Sequence, residues 1–196
     1  MTDLATTLMD LHDWIEQAAA DVLDGLNEPA SAEVLAKLNE AYGGRVPEDV
    51  LTVYAWHEGG QIPDPWWELS EIDEIVRVKE LHESMPDLQA LENWWSDSWI
   101  PIGADFDGNH LCVDVDGCFG GIAGQVLVYM HDEEERVIVA PSLGAYFEVL
   151  LLACRTGILD YDEDEGFMAE GNQKAWEEFL SAHLDGYPKK GVATLG

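Results

Sequence analysis

The chain has 196 residues, 47% hydrophobic and 10% aromatic, with 40 acidic residues against 9 basic ones and a formal net charge of −31. That length and apolar content suit one folded domain with a real core and exclude a disordered chain. The charge excludes binding to nucleic-acid phosphates or to an anionic membrane surface, because like charges repel, and favours a cationic partner such as a basic protein or a divalent metal.

Leu4, Leu8, Leu11, Ile15 and Val22 recur at helical spacing, which predicts one amphipathic helix over residues 3–24, stopped by Gly25, Asn27 and Pro29. Ser31 is placed to cap a second helix to about Tyr42, ended by Gly43-Gly44. Pro47, Glu48 and Asp49 suit the first turn of a third helix that buries Val50, Val53 and Tyr54, with His57 near its end. Ser70, with Asp73 three residues on, resembles a capping box before Ile72, Ile75, Val76 and Val78, and Pro86 interrupts that helix. The period then changes. HLCVDVD alternates Leu111, Val113 and Val115 inward with His110, Cys112, Asp114 and Asp116 outward, which predicts a half-buried strand. Strands follow at 124–131 and 136–140, joined by the acidic turn 132–135 as an antiparallel meander. Pro141-Ser142 starts a helix carrying Leu143, Phe147, Leu150 and Leu151 to Gly157. DYDEDEG (160–166) reads as a charged break, 171–184 as a short helix, and Lys189-Lys190 as part of a frayed tail. The class is α+β: a central antiparallel or mixed sheet with N- and C-terminal helices packed on it. One domain is expected over 1–157, with 158–196 as an acidic loop, short helix and tail packed on it or trailing.

Three cysteines, Cys112, Cys118 and Cys154, with no Cys-x-x-Cys pair read as thiols of a reducing compartment. The acidic N-terminus does not have the form of a signal peptide, and no apolar run reaches the ~18 residues of a membrane span. A soluble, cytoplasmic protein is expected. Two stretches approach a calcium loop. In ADFDGNHLCVDVDG, Asp105, Asp107 and Asn109 alternate correctly and Asp116 falls twelfth. However, His110 stands where the sharp-turn glycine belongs, and the bidentate glutamate is missing. The stretch therefore reads as an Asp-Gly turn before a strand. In DYDEDEGFMAEG, Asp160, Asp162 and Asp164 alternate, but Gly166 comes one place late and Glu170 one place early, so a solvated charge run is the better reading. No histidine set, nucleophile elbow or phosphate loop is present. His57-Glu58 lacks a second histidine, Ser142 lacks the elbow, and CFGGIAG has no lysine. No metal centre, cofactor or catalytic residue is expected, and a metal-dependent hydrolase using the aspartates is the weaker class.

Eight tryptophans remain. Trp14, Trp56 and Trp176 fall on predicted helices and suit the core. Trp66-Trp67 and Trp94-Trp95 flank irregular segments, where adjacent rings cannot all point inward. They either close one end of the sheet as a satellite cluster or anchor a partner.

Six short blocks stand in a recognisable order. They are Val46-Pro47-x-Asp49 with Tyr54 and His57-x-Gly59-Gly60; Leu69-Ser70-x-Ile72; Trp99-Ile-Pro101-Ile-Gly103; Asp107-Gly108-Asn109; Gly124-Gln125-Val126 with Tyr129 and His131-Asp132; and Ala140-Pro141-Ser142 with Tyr146-Phe147. Together, over roughly residues 30–155, they resemble the SUKH superfamily of Smi/Knr-type domains. That superfamily includes bacterial immunity proteins of polymorphic toxin systems and fungal cell-wall assembly regulators. Glu58, the tryptophan pairs and the acidic run after Gly157 depart from its pattern. The resemblance implies a binding protein and not an enzyme. It implies an immunity protein that neutralises a cognate toxin with a basic face, such as a nuclease, or else a regulatory scaffold. Charge and expected exposure then nominate Trp66, Trp67, Asp105, Asp107, Asp132, Glu133, Glu134 and Glu135 as the partner-binding face. A salt-adapted proteome would also explain the acidity, in which case the charge says nothing of partners.

Overall fold

A computed structural model describes residues 3–85, 94–164, 166–169 and 173–192. Helix α1 (Leu4–Ala18) buries Leu4, Leu8, Leu11 and Ile15 along one stripe. It stops short of its expected end. Ala19 leaves helical geometry (φ −148°, ψ 51°) and turns the chain into a 3-10 segment, Ala20–Gly25, which returns Val22 to the core. Ser31 caps α2 (Ala32–Ala41) as expected, its hydroxyl accepting the Val34 N–H at 3.3 Å. Pro47 precedes α3 (Glu48–Trp56), which buries Val50, Val53 and Tyr54.

At α4 (Ile72–Glu83) the expected capping box is absent, and Glu71 holds the N-cap position. Ser70 is buried and bonded elsewhere. Its N–H donates to the Ile102 carbonyl (2.9 Å) and its carbonyl accepts the Tyr54 hydroxyl (2.9 Å). The Ile72 N–H instead meets a carboxylate oxygen of Glu58 at 3.4 Å. The interruption expected at Pro86 lies outside the described residues.

The strands are β1 (Gly60–Gln61), β2 (Glu68–Leu69), β3 (Trp99–Ala104), β4 (His110–Asp114), β5 (Gln125–Tyr129), β6 (Glu135–Ala140), β7 (Leu159–Asp162), β8 (Gly166–Ala169) and β9 (Lys189–Val192). Seven of them form one antiparallel sheet in the order β1-β2-β3-β4-β5-β6-β9. The expected α+β meander is therefore present and longer on both sides. The lysines expected in a frayed tail sit in β9 instead, where Lys190 pairs with Val137 and Lys189 with Ile138. Lysine on an edge strand deters pairing with another chain, so the composition read as solvent-loving tail is edge chemistry. The expected charged break is a hairpin, β7 with β8.

Helix α5 (Leu143–Thr156) is capped by Ser142, whose hydroxyl accepts the Ala145 N–H at 3.1 Å. It lies against β5 and β6 and carries α1, which in turn packs on α3. Helix α6 (Gln173–His183) brings Trp176 and Leu180 to the same core.

The half-buried reading of β4 is overturned. His110, Cys112 and Asp114 are as buried as Leu111 and Val113. Remote segments cover the face expected to be wet. Trp95 lies 5.0 Å from the Tyr129 ring and 6.1 Å from the His110 ring, and His82 of α4 stacks on Trp95 at 3.8 Å. Arg136 joins this layer with no exposed surface. Its guanidinium lies 4.6 Å from the Tyr129 ring centre and donates to the carbonyls of Trp94 (2.7 Å), Glu135 (3.1 Å), Met130 (3.3 Å) and Glu133. A buried charge survives here because backbone dipoles and ring faces replace water.

Candidate functional site

The register places three connections at one end of the sheet. Gln61 pairs with Glu68, Glu68 with Ala104, Ala104 with His110, and His110 with Tyr129, in a line across five strands. The β1–β2, β3–β4 and β5–β6 connections all leave from that line. They contain Trp66 and Trp67, Asp105 and Asp107, and Asp132, Glu133 and Glu134, with Glu135 opening β6. Eight residues nominated from separate parts of the sequence thus share one end of the molecule.

Their situations differ. Asp105 builds its turn. One carboxylate oxygen accepts the N–H groups of Asp107 and Asn109 (both 2.9 Å), and the other accepts the Asn109 side-chain amide (2.7 Å). Its partial burial favours the neutral acid, but the hydrogen bonds from Asn109 and from the loop amides outweigh that and hold its pKa below the usual value. Gly108, at φ +87°, gives the turn the left-handed residue it needs. The Asn109 carbonyl-type oxygen reaches across to accept the His131 N–H (3.0 Å) and meets its ring Nδ1 at 2.9 Å. One side chain therefore fastens the β3–β4 turn to the β5–β6 turn.

Asp107, Asp132, Glu133 and Glu134 are exposed, and among the described residues no ion pair engages them. Glu135 is half-buried and its charge is answered by Lys190 at 2.6 Å.

The tryptophans are not the exposed anchors that the nomination needs. Trp67 is buried, and half-buried Trp66 lies 5.7 Å from the ring of Trp176. The cause is Asp64, a buried carboxylate that accepts the Trp66 and Trp67 N–H groups (3.0 and 3.3 Å) and the Tyr146 hydroxyl of α5. Burial pushes its pKa up to about 6, while those hydrogen bonds pull the other way. The satellite-cluster alternative describes this pair.

One residue at this end was missed. Phe106, between Asp105 and Asp107, is 97% exposed. Read as a sequence, it is one letter of a turn. The signal available was that Asp105, Gly108 and Asn109 satisfy the turn by themselves, leaving the intervening side chain no inward path.

In the second acidic stretch the described carboxylates bond their own hairpin. Asp160 accepts the Tyr161 N–H and Asp162 the Asp164 N–H, each at 2.9 Å, within the β7–β8 hairpin. Glu170 lies outside the described residues. Among the described residues, no three His, Cys, Asp or Glu side chains gather closely enough to hold a metal ion. No helix among them is long and apolar enough to cross a membrane. At the far end of the sheet an open hollow of about 470 Å³ is lined by Arg45, Trp95, Ser96, Asp97, Ser98 and Asp116, with Arg45 paired to Asp116 at 2.8 Å.

This architecture has relatives. The chain is 30% identical over 67 residues to the cell wall biosynthesis/cell cycle regulator smi1 of Schizosaccharomyces pombe, a stretch covering 34% of this chain and 13% of that protein. The sequence profile of the SMI1 / KNR4 family (SUKH-1) matches residues 29–149, from the loop before α2 into α5 and through the end of the sheet just described. That match spans more than half of the chain, and the protein belongs to the SMI1 / KNR4 family (SUKH-1).

Proposed function

We propose that this protein is a non-enzymatic, cytoplasmic immunity protein that binds a toxin through the acidic end of its sheet. It needs no cofactor. The observation that carries the reading is the gathering of Asp107, Asp132, Glu133 and Glu134 on two adjacent turns, exposed and with no close ion pair among the described residues. A nuclease presents cations to the phosphates it cleaves, and such a surface competes for that groove. Electrostatic steering of this kind raises association rates by ~10- to 10³-fold over a neutral pair. Three free thiols agree with a reducing compartment.

A second reading, a regulatory scaffold without a toxin, is favoured by the similarity to the fission-yeast regulator. The two separate in one experiment. A toxin domain encoded beside this gene is co-expressed with the wild-type chain and with a variant carrying Asp107→Lys, Asp132→Lys, Glu133→Lys and Glu134→Lys. Immunity predicts protection and co-purification with the wild type and loss of both with the variant. An isolated gene with no such neighbour, or equal protection by both chains, overturns it in favour of the scaffold.

A further inference from the structure

Phe106 is the most exposed large apolar side chain among the described residues, at 97%, ahead of Met9 at 68% and Ile122 at 53%. Its position is fixed from beneath. Asp105 holds the turn through three hydrogen bonds, and Asn109 ties that turn to His131 on its neighbour. The ring contributes nothing to this scaffold, since every bond in it is made by other residues. A rigid apolar group held out into water serves the fold nowhere, and an aromatic ring so placed is the type of group that dominates binding energy once it is covered.

What covers it follows from charge. Asp107 flanks it, and Asp132, Glu133 and Glu134 occupy the adjoining turn. Those carboxylates repel an anionic lipid surface and a phosphate backbone alike. They complement lysine and arginine.

We infer that Phe106 is the anchor of this interface and enters an apolar site on a basic protein partner, with the neighbouring carboxylates meeting lysine and arginine side chains at that site's rim. The inference deepens the reading of the acidic end as a protein-binding surface and rests on it. Steering by the acids sets how quickly the partner arrives. Burial of the ring sets how long it stays.

The test uses the whole chain and two synthetic peptides of equal length and charge, one alternating lysine with leucine, the other lysine with serine. The wild type is expected to bind the lysine–leucine peptide about tenfold more tightly than the lysine–serine peptide, the loss typical of one interfacial anchor. Phe106→Ser removes that preference and leaves the weaker binding intact, whereas Phe106→Leu retains it. Neutralising Asp107, Asp132, Glu133 and Glu134 to their amides weakens both peptides together. No preference in the wild type, or an unchanged preference in Phe106→Ser, overturns the role of Phe106. Undiminished binding of both peptides by the amide variant overturns the acidic-surface reading itself. Binding to phosphatidylcholine vesicles that disappears in Phe106→Ser overturns the protein partner in favour of a lipid surface.

Discussion

The two ends of β4 carry the same device with opposite results. At one end Asp105 gathers the amides of Asp107 and Asn109, and at the other Asp114 gathers those of Asp116 (3.2 Å), Gly117 (3.1 Å) and Cys118 (2.6 Å). Each aspartate folds a loop around its carboxylate, and each loop presents a phenylalanine. Phe119 lies on Trp99, ring centres 6.2 Å apart, and over Gly191 of β9, where a Cβ would fall 2.4 Å from the ring. Among the described residues Phe106 has no ring partner and stays 97% exposed. The far loop therefore closes the core, because β9 and β3 supply a surface for its ring. The near loop extends past the described elements that could cover it. The carboxylates follow suit: Asp114 has no exposed surface and also accepts the Gln125 side-chain amide at 2.8 Å.

Four experiments break or sharpen this contrast. Asp114→Ala leaves several buried donors unpaired and is expected to cost about 3–5 kcal/mol in denaturant unfolding, the range for breaking a buried hydrogen-bonded charge. A loss under 1 kcal/mol would mean that the far loop does not depend on its carboxylate.

The second concerns pH and His110, which opens β4 at the near end. Burial, then repulsion from His82, lowers its pKa to about 4 from 6.5. The unfolded chain thus takes a proton that the folded one refuses, and stability falls as pH drops from 6.5 toward 4, by about 3 kcal/mol in full. Asp64, raised by burial from 3.8 to about 6, acts in the reverse sense, the folded state taking its proton first as pH falls through 6. These two terms oppose each other, while His57 and His82, also lowered by burial, act in the same sense as His110. Thermal melts of His110→Gln are expected to show relative stabilisation at acid pH and those of Asp64→Asn relative destabilisation. Parallel profiles for both variants would refute the pairing.

Third, Phe119→Ala and Gly191→Ala each disturb the ring's seat and are expected to cost about 1–3 kcal/mol, by lost burial in one case and overpacking in the other. The smallest effect belongs to Phe106→Ser, which should leave unfolding within about 0.5 kcal/mol of wild type. A larger loss would show that the ring is covered after all.

Much of the scaffold was legible. The helical stripes, the Ser31 and Ser142 caps and the β4–β6 meander follow from local chemistry that tertiary contacts did not override. What misled was burial delivered from afar. HLCVDVD alternates as a half-wet strand does, but His82 and Trp95 arrive from distant positions to dry its second face. Strands of two residues, as in β1 and β2, are too short to show a period. Ser70 had the composition of a cap, yet its backbone was claimed by Tyr54 and Ile102. At the candidate site the acids are nominated by charge alone, and that they share one end of the sheet follows from register, which no local pattern encodes. Sequence leaves Trp66 and Trp67 between cluster and anchor because the pull of Asp64 on their amides is tertiary, and Phe106 carries no local signal because a turn-forming sequence hides what its one idle side chain does.

The Asn109–His131 link carries a last consequence. The Asn109 amide joins two turns that Asp105 and Arg136 already hold from within, so the folded chain has given up part of their conformational entropy. The pentapeptide Asp105–Asn109 is therefore held by its first and last residues, and under the proposal above a relative could change the letters at 106 and 107, and so its choice of target, while the sheet beneath keeps its shape.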